Sequence, residues 1–221
     1  FVEGLRPIKI EGQSEIGFEL KNGIFKEFCI KAFDNPSRKY VLIIDEINRA
    51  EISKVFGELF FSIDPGYRGI KGRIKTQYAN MQTMETAFAE EYEEGEFFVP
   101  ENVYIIGTMN DIDRSVESFD FAMRRRFTWI EITAEQSAIN MSLPESIKDR
   151  MLKLNEQISK IDGFNPSYHI GAAYFLDSNG NVRQDIDSIW RMRIEPLLKE
   201  YLRGLPDSIE KINSLKNAFI A

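Results

Sequence analysis

The residues in this sequence best suited to chemistry are two carboxylates at the end of an aliphatic run. Val41-Leu42-Ile43-Ile44 leads directly into Asp45 and Glu46. Four consecutive aliphatic residues without polar alternation predict a short strand covered on both faces. Open α/β sheets bind ligands beyond the carboxyl ends of their strands, so the acid pair falls on a ligand-binding rim. There the first acid suits the Mg²⁺ of a nucleoside triphosphate, held directly or through water, and the second suits orienting or deprotonating the attacking water. The bland alternative is a strand that runs out into an acidic turn.

A second apolar run, Val103-Tyr104-Ile105-Ile106-Gly107-Thr108, is followed by Asn110, Asp111 and Asp113. Laid beside the first run, it brings an amide next to the γ-phosphate or its water. Arg124, Arg125 and Arg126 close a helix expected over residues 116–123 and capped by Ser115. They either complement the helix dipole or meet a neighbouring subunit's nucleotide and stabilise charge on the transferred phosphoryl group. The lone histidine and cysteine read as structural. His169 has no second His or Cys with which to share a metal, and Cys29 sits inside an apolar run. The glycine-rich residues 64–72 lack the Gly, four residues, Gly-Lys-Ser/Thr spacing of a phosphate cradle and read as a mobile turn.

These groups need elements to hold them. Residues 1–20 read as loop with one brief strand, and Asn22 as the N-cap of a helix over 23–33 that residues 34–37 end with turn chemistry. Residues 50–63 carry Ile52, Val55, Phe56, Leu59, Phe60 and Ile63 at helical spacing. Residues 73–79 and 97–99 are candidate hairpin strands around a long connection whose acidic residues 90–94 are solvated, and 127–132 reads as a third strand. From residue 134 the pattern turns helical, with helices over 147–161 and 187–201. Pro196 should kink or restart the latter. Between them, apolar residues 168–176 end in a turn at 177–180.

With 221 residues the chain can form one large domain or a main domain and a small one. A formal net charge of −7 argues against bare electrostatic attraction to DNA. Any grip on nucleic acid must come from another segment or subunit. One cysteine excludes an internal disulfide and fits a reducing cytosol. No apolar run approaches a membrane span and no signal peptide is visible, so a cytoplasmic protein without membrane contact is expected. The chain opens at Phe1 rather than Met, and an N-terminus further upstream is expected.

Four strings, in order, carry a family resemblance: Asp45-Glu46-Ile47-Asn48-Arg49-Ala50, Ile52-Ser53-Lys54-Val55-Phe56-Gly57-Glu58-Leu59, Ile106-Gly107-Thr108-Met109-Asn110-Asp111-Ile112-Asp113-Arg114-Ser115 and Ala122-Met123-Arg124-Arg125-Arg126-Phe127. Together they closely resemble the AAA+ motor subunit of the McrB family. The opening Phe1-Val2-Glu3-Gly4-Leu5-Arg6-Pro7 and residues 168–175 resemble it too, so nearly the whole chain is covered. Each string alone is weak, and specificity lies in the ordered set. Members of that family drive modification-dependent restriction, cleaving DNA that carries methylated cytosine.

The resemblance implies an α/β fold. Residues 1–133 would form an AAA+ P-loop-type parallel sheet, incomplete for want of its Walker A strand, and residues 134–221 a small helical lid. It implies Asp45 as the Walker B acid for Mg²⁺ and nucleotide, Glu46 as the acid on the attacking water, and Asn48 as a residue that helps position that water. Asn110, Asp113 and Arg114 match the family's Met-Asn-Thr-Ala-Asp-Arg motif. Asp111-Ile112 replaces Thr-Ala there and leaves the nucleotide preference open. Arg124 or Arg125 becomes the arginine finger offered to the next subunit. GTP or ATP with Mg²⁺ are the implied cofactors. The implied partners are further copies in a hexameric ring, a nuclease subunit of McrC type, and DNA reached through segments not in this chain.

In the family the P-loop lies ahead of the point matching Phe1, as does a methylated-DNA-reading domain in some members. The chain is therefore expected to be a fragment that alone binds nucleotide poorly and leaves two core strands with unpaired edges. The alternative is a degenerate AAA+ fold serving as a non-catalytic scaffold. A nuclease with its own metal site is disfavoured, because the remaining acids are scattered.

Overall fold

In the computed structural model, which describes residues 1–9, 16–89, 95–110, 112 and 121–221, the chain opens with an antiparallel hairpin rather than a loop. Strand β1 (Glu3–Lys9) pairs with β2 (Ile16–Asn22), setting Leu5 opposite Leu20 and Pro7 opposite Phe18. Gly4, Pro7 and Gly17 obscure the alternation that would have announced it. The hairpin base is tied down by a buried ion pair between Lys26 and Glu3, and Gln82 Nε2 donates to the same carboxylate at 2.7 Å. Burial holds the Lys26 ammonium below its ordinary pKa against the opposing pull of Glu3. Because β2 runs through Asn22, that residue is not the expected cap. Gly23 takes the position with no side-chain bond, and helix α1 (Ile24–Phe33) follows.

Phe25, Cys29 and Ala32 of α1 are buried with Phe56, Phe88, Phe97 and Phe98 in one core. Burial raises the Cys29 thiol pKa, as befits an inert core residue. After β3 (Tyr40–Ile44), the helix expected over 50–63 is broken. Helix α2 (Ile52–Phe56) stops at Gly57, whose φ of +52° lies in the region glycine adopts freely, and a 3₁₀ turn covers Gly57–Phe60. Ile52, Phe56, Leu59 and Ile63 are all buried nonetheless, so the apolar spacing serves two short pieces. Residues 64–72 are pinned rather than loose. Arg68 donates to Ile63 O at 2.7 Å and Val103 O at 2.6 Å, and Ser62 Oγ donates to Gly72 O at 2.6 Å. The expected hairpin shrinks to β4 (Ile74–Lys75) against β5 (Glu96–Phe97).

Strand β6 (Val103–Gly107) pairs in parallel with β3, in register from Tyr40 opposite Val103 to Ile44 opposite Gly107. Among the described residues neither strand has another strand neighbour. One face, with Leu42, Ile44, Val103 and Ile105, packs on the aromatic core. The other is open: Val41 is 49% exposed, Ile43 66%, Tyr104 46% and Ile106 51%. The expectation of coverage on both faces therefore fails, and an unbroken apolar run here has one dry side. Helix α3 (Phe121–Arg124) is the described end of the helix expected over 116–123. Its cap Ser115 and the acidic residues 90–94 lie outside the described residues. Residues 127–132 form no strand.

The chain divides into two compact units, Phe1–Trp129 and Ile130–Ala221, against an expected division after residue 133. The second is helical: α4 (Ala134–Asn140), α5 (Glu145–Ile158), α6 (Ile186–Ile189), α7 (Glu195–Tyr201) and α8 (Ser208–Ile220). Ile147, Met151, Leu154 and Ile158 of α5 share a core with Ile212, Leu215 and Phe219 of α8. A π-helical turn, Trp190–Ile194, separates α6 from α7 just before Pro196, where the missing N–H demands the restart. No helix among the described residues is long and apolar enough to cross a membrane.

Buried Asn155 clamps this unit through both amide atoms. Its Nδ2 donates to Ile170 O at 3.0 Å and its Oδ1 accepts from Ile170 N at 2.7 Å. Asn155→Ala strands two buried backbone groups, each worth about 1–3 kcal/mol. The expected loss is about 2–6 kcal/mol, read as a lower urea midpoint at unchanged slope.

Candidate functional site

Parallel, in-register pairing sets the carboxyl ends of β3 and β6 side by side, so Asp45 follows Ile44 where Thr108 follows Gly107. Main-chain bonds continue past the strands: Thr108 N donates to Ile44 O at 3.0 Å, and Ile47 N donates to Thr108 O at 2.9 Å. Gly107 permits that closeness, since a Cβ on it would stand 2.8 Å from Ile47 Cδ1. The Thr108 hydroxyl donates to Asp45 Oδ1 and accepts the Glu46 N–H at 3.0 Å. Glu46 itself has φ 52° and ψ 49°, the left-handed region costly for a residue with a Cβ. Its carboxylate meets Arg49 Nε at 2.6 Å in an exposed pair of the weak kind.

The far side of the rim is closed by two asparagines. Asn48, 9% exposed, donates from Nδ2 to Asn110 O at 3.2 Å, tying the turn after β3 to the segment after β6. Asn110 Oδ1 accepts from Ile112 N at 3.3 Å, which leaves its Nδ2 without a partner among the described residues. Asp45, Glu46, Asn48 and Asn110 thus gather at one rim. Asp113 and Arg114 lie outside the described residues. Sequence reasoning missed Thr108. Its hydroxyl directly follows the apolar run, but only the pairing register sets it beside the first acid.

The arginine triplet separates into three environments. Arg124 stacks its guanidinium over Trp129 at 4.9 Å, while the Trp129 Nε1 donates to Arg124 O at 2.9 Å. Arg126 turns inward, donating to Ala122 O and lying 4.0 Å from the Phe60 ring. Arg125 is exposed and its side chain has no partner among the described residues.

Hard oxygens at this rim suit Mg²⁺. Among the described residues no cluster of three or more His, Cys, Asp or Glu builds a metal cage. One carboxylate whose Oδ2 has no partner among the described residues, beside a hydroxyl, fits a cation that keeps waters and phosphate oxygens as its remaining ligands. His169 serves the helical unit instead. Ser159 Oγ lies 2.7 Å from its Nε2, and burial lowers its pKa, which favours the neutral ring.

Comparison with known proteins supplies context for this geometry. Residues 4–127 match the model of the AAA domain, dynein-related subfamily, and residues 146–210 match that of the McrB α-helical lid domain. The chain is 37% identical over 227 residues to the type IV methyl-directed restriction enzyme EcoKMcrB subunit of Escherichia coli strain K12, covering 96% of this chain and 46% of that protein. It is also 30% identical over 127 residues to YdiS, a component of the type II restriction enzyme BsuMI of Bacillus subtilis strain 168. That match covers 57% of this chain and 36% of the relative. The chain thus spans about half or less of the curated relatives it matches.

Proposed function

Because this chain belongs to the AAA domain family, with an AAA domain of the dynein-related kind and the helical lid of McrB, we propose that it is the Mg²⁺-dependent nucleoside triphosphatase core of a methyl-directed restriction motor. The observation that carries the reading is the convergence of Asp45, Glu46 and Asn110 on one rim of a parallel strand pair. Bound Mg²⁺ supplies charge neutralisation for the phosphates. Asp45, through Oδ2, would hold it directly or through water. Glu46 would orient the attacking water and take its proton, and Asn110 would offer Nδ2 to that water or to the γ-phosphate. Asn48, committed to Asn110 O, would hold the two segments at a fixed separation instead of touching water itself. Asp113 and Arg114 keep the roles that the family motif gives them, and an arginine from the triplet would reach the nucleotide of the next subunit in a hexameric ring.

Two features support the reading that further parts of the site come from outside these 221 residues. The sequence contains no Gly, four residues, Gly-Lys-Ser/Thr loop to cradle phosphates. The open apolar face of Val41, Ile43, Tyr104 and Ile106 suits a further packed layer. We place the phosphate grip there, supplied by segments beyond this chain, together with the contacts to DNA. The nuclease partner is of McrC type, by analogy with the Escherichia coli relative's place in a methyl-directed restriction enzyme. The nucleotide is GTP or ATP, and buried, unpaired Cys29 fits a cytoplasmic setting.

The test is phosphate release by the full-length protein from GTP and from ATP, with and without Mg²⁺, alone and with the nuclease subunit. Metal-dependent hydrolysis of at least one nucleotide is expected, together with cleavage confined to methylated DNA. A protein that binds the nuclease subunit yet releases no phosphate is the non-catalytic scaffold instead.

A further inference from the structure

Thr108 holds both acids of the rim with a single oxygen. Its main chain is fixed from both sides, by Ile44 O at 3.0 Å and Ile47 N at 2.9 Å, so its side chain has a defined origin. The hydroxyl has one proton, given to Asp45 Oδ1, and a lone pair that accepts the Glu46 N–H at 3.0 Å. The first bond leaves Asp45 Oδ2 as the oxygen without a partner among the described residues. The second restrains a residue at φ 52°, a conformation that would otherwise relax.

We propose that Thr108 is a positioning residue for the metal-nucleotide site, aiming the Asp45 carboxylate and fixing the turn that carries Glu46. This inference rests on the function proposed above. It differs from a packing role because Thr108, Asp45 and Glu46 are all exposed. Water can replace the hydroxyl's two hydrogen bonds without stranding a buried group, but cannot impose their direction.

The experiment uses the full-length protein and Thr108→Val, which keeps shape and removes the hydroxyl, with Thr108→Ser as the conservative rescue and Asp45→Asn as the reference. Mn²⁺ binding in the presence of a non-hydrolysable nucleotide triphosphate, followed by its electron paramagnetic resonance signal, reads the site without turnover. Thr108→Val should weaken Mn²⁺ by about 10-fold or more. It should also raise the metal concentration needed for half-maximal hydrolysis, leave the melting temperature unchanged and leave metal-free nucleotide affinity unchanged. Thr108→Ser should restore Mn²⁺ binding. Wild-type Mn²⁺ affinity in Thr108→Val overturns the proposal, and so does an unfolded Thr108→Val protein or a Ser variant as impaired as Val. If Asp45→Asn binds Mn²⁺ as well as the wild type does, the underlying assignment of the rim fails before Thr108 is in question.

Discussion

Replacing Glu46 by Gln in the full-length protein should leave nucleotide binding intact and lower turnover by about 10²–10⁴-fold, the range for a lost general base. Gln keeps the size and hydrogen-bonding reach of Glu but cannot accept the proton of the attacking water. Nothing in the local structure depends on the charge: the Arg49 partner is exposed, and the Glu46 N–H keeps its bond to Thr108. Nucleotide titration and single-turnover phosphate release separate the two quantities. Normal turnover in Glu46→Gln would refute the assignment of the acid pair, whereas loss of binding would move Glu46 from the water to the nucleotide itself.

The second large effect is at Arg125. Its neighbours are occupied, Arg124 by the Trp129 ring and Arg126 by Ala122 O and the Phe60 ring, whereas exposed Arg125 has no side-chain partner among the described residues, which makes it the candidate to reach the proposed neighbouring subunit. Arg125→Ala should cost about 10³–10⁵-fold in turnover, the range for a lost arginine finger. Arg124→Ala should cost far less, since it removes a surface stack. Mixing Arg125→Ala with Glu46→Gln should recover activity, because some interfaces then pair an intact finger with an intact acid. Failure to recover in mixed rings rules out action across the interface. A larger loss in Arg124→Ala than in Arg125→Ala reverses the choice between them.

The parts of this site built from contiguous residues were legible in the sequence. Val41 to Ile44 and Val103 to Gly107 announce strands by composition, and the polar residues that follow each one fall on the same rim because the strands are parallel. Interactions that depend on pairing were not legible. Thr108 reads as the tail of an apolar run, and only the register shows that its hydroxyl reaches Asp45. Nor does an unbroken aliphatic run reveal whether both faces are dry, and here Ile43 and Ile106 are exposed. Local backbone exceptions hid the rest. Gly57 divides a helix whose apolar spacing looks continuous, and Pro7 and the glycines conceal a hairpin whose Leu5 and Leu20 stand directly opposite.

The left-handed backbone at Glu46 sets fold and reaction against each other. An L-residue there costs about 1–2 kcal/mol that glycine would not incur. Glu46→Gly would therefore relax the turn and harden the protein against heat while deleting the proton acceptor proposed above. Screens that reward thermal robustness alone will drift toward inert proteins at this position, so any search for sturdier variants has to hold residue 46 constant.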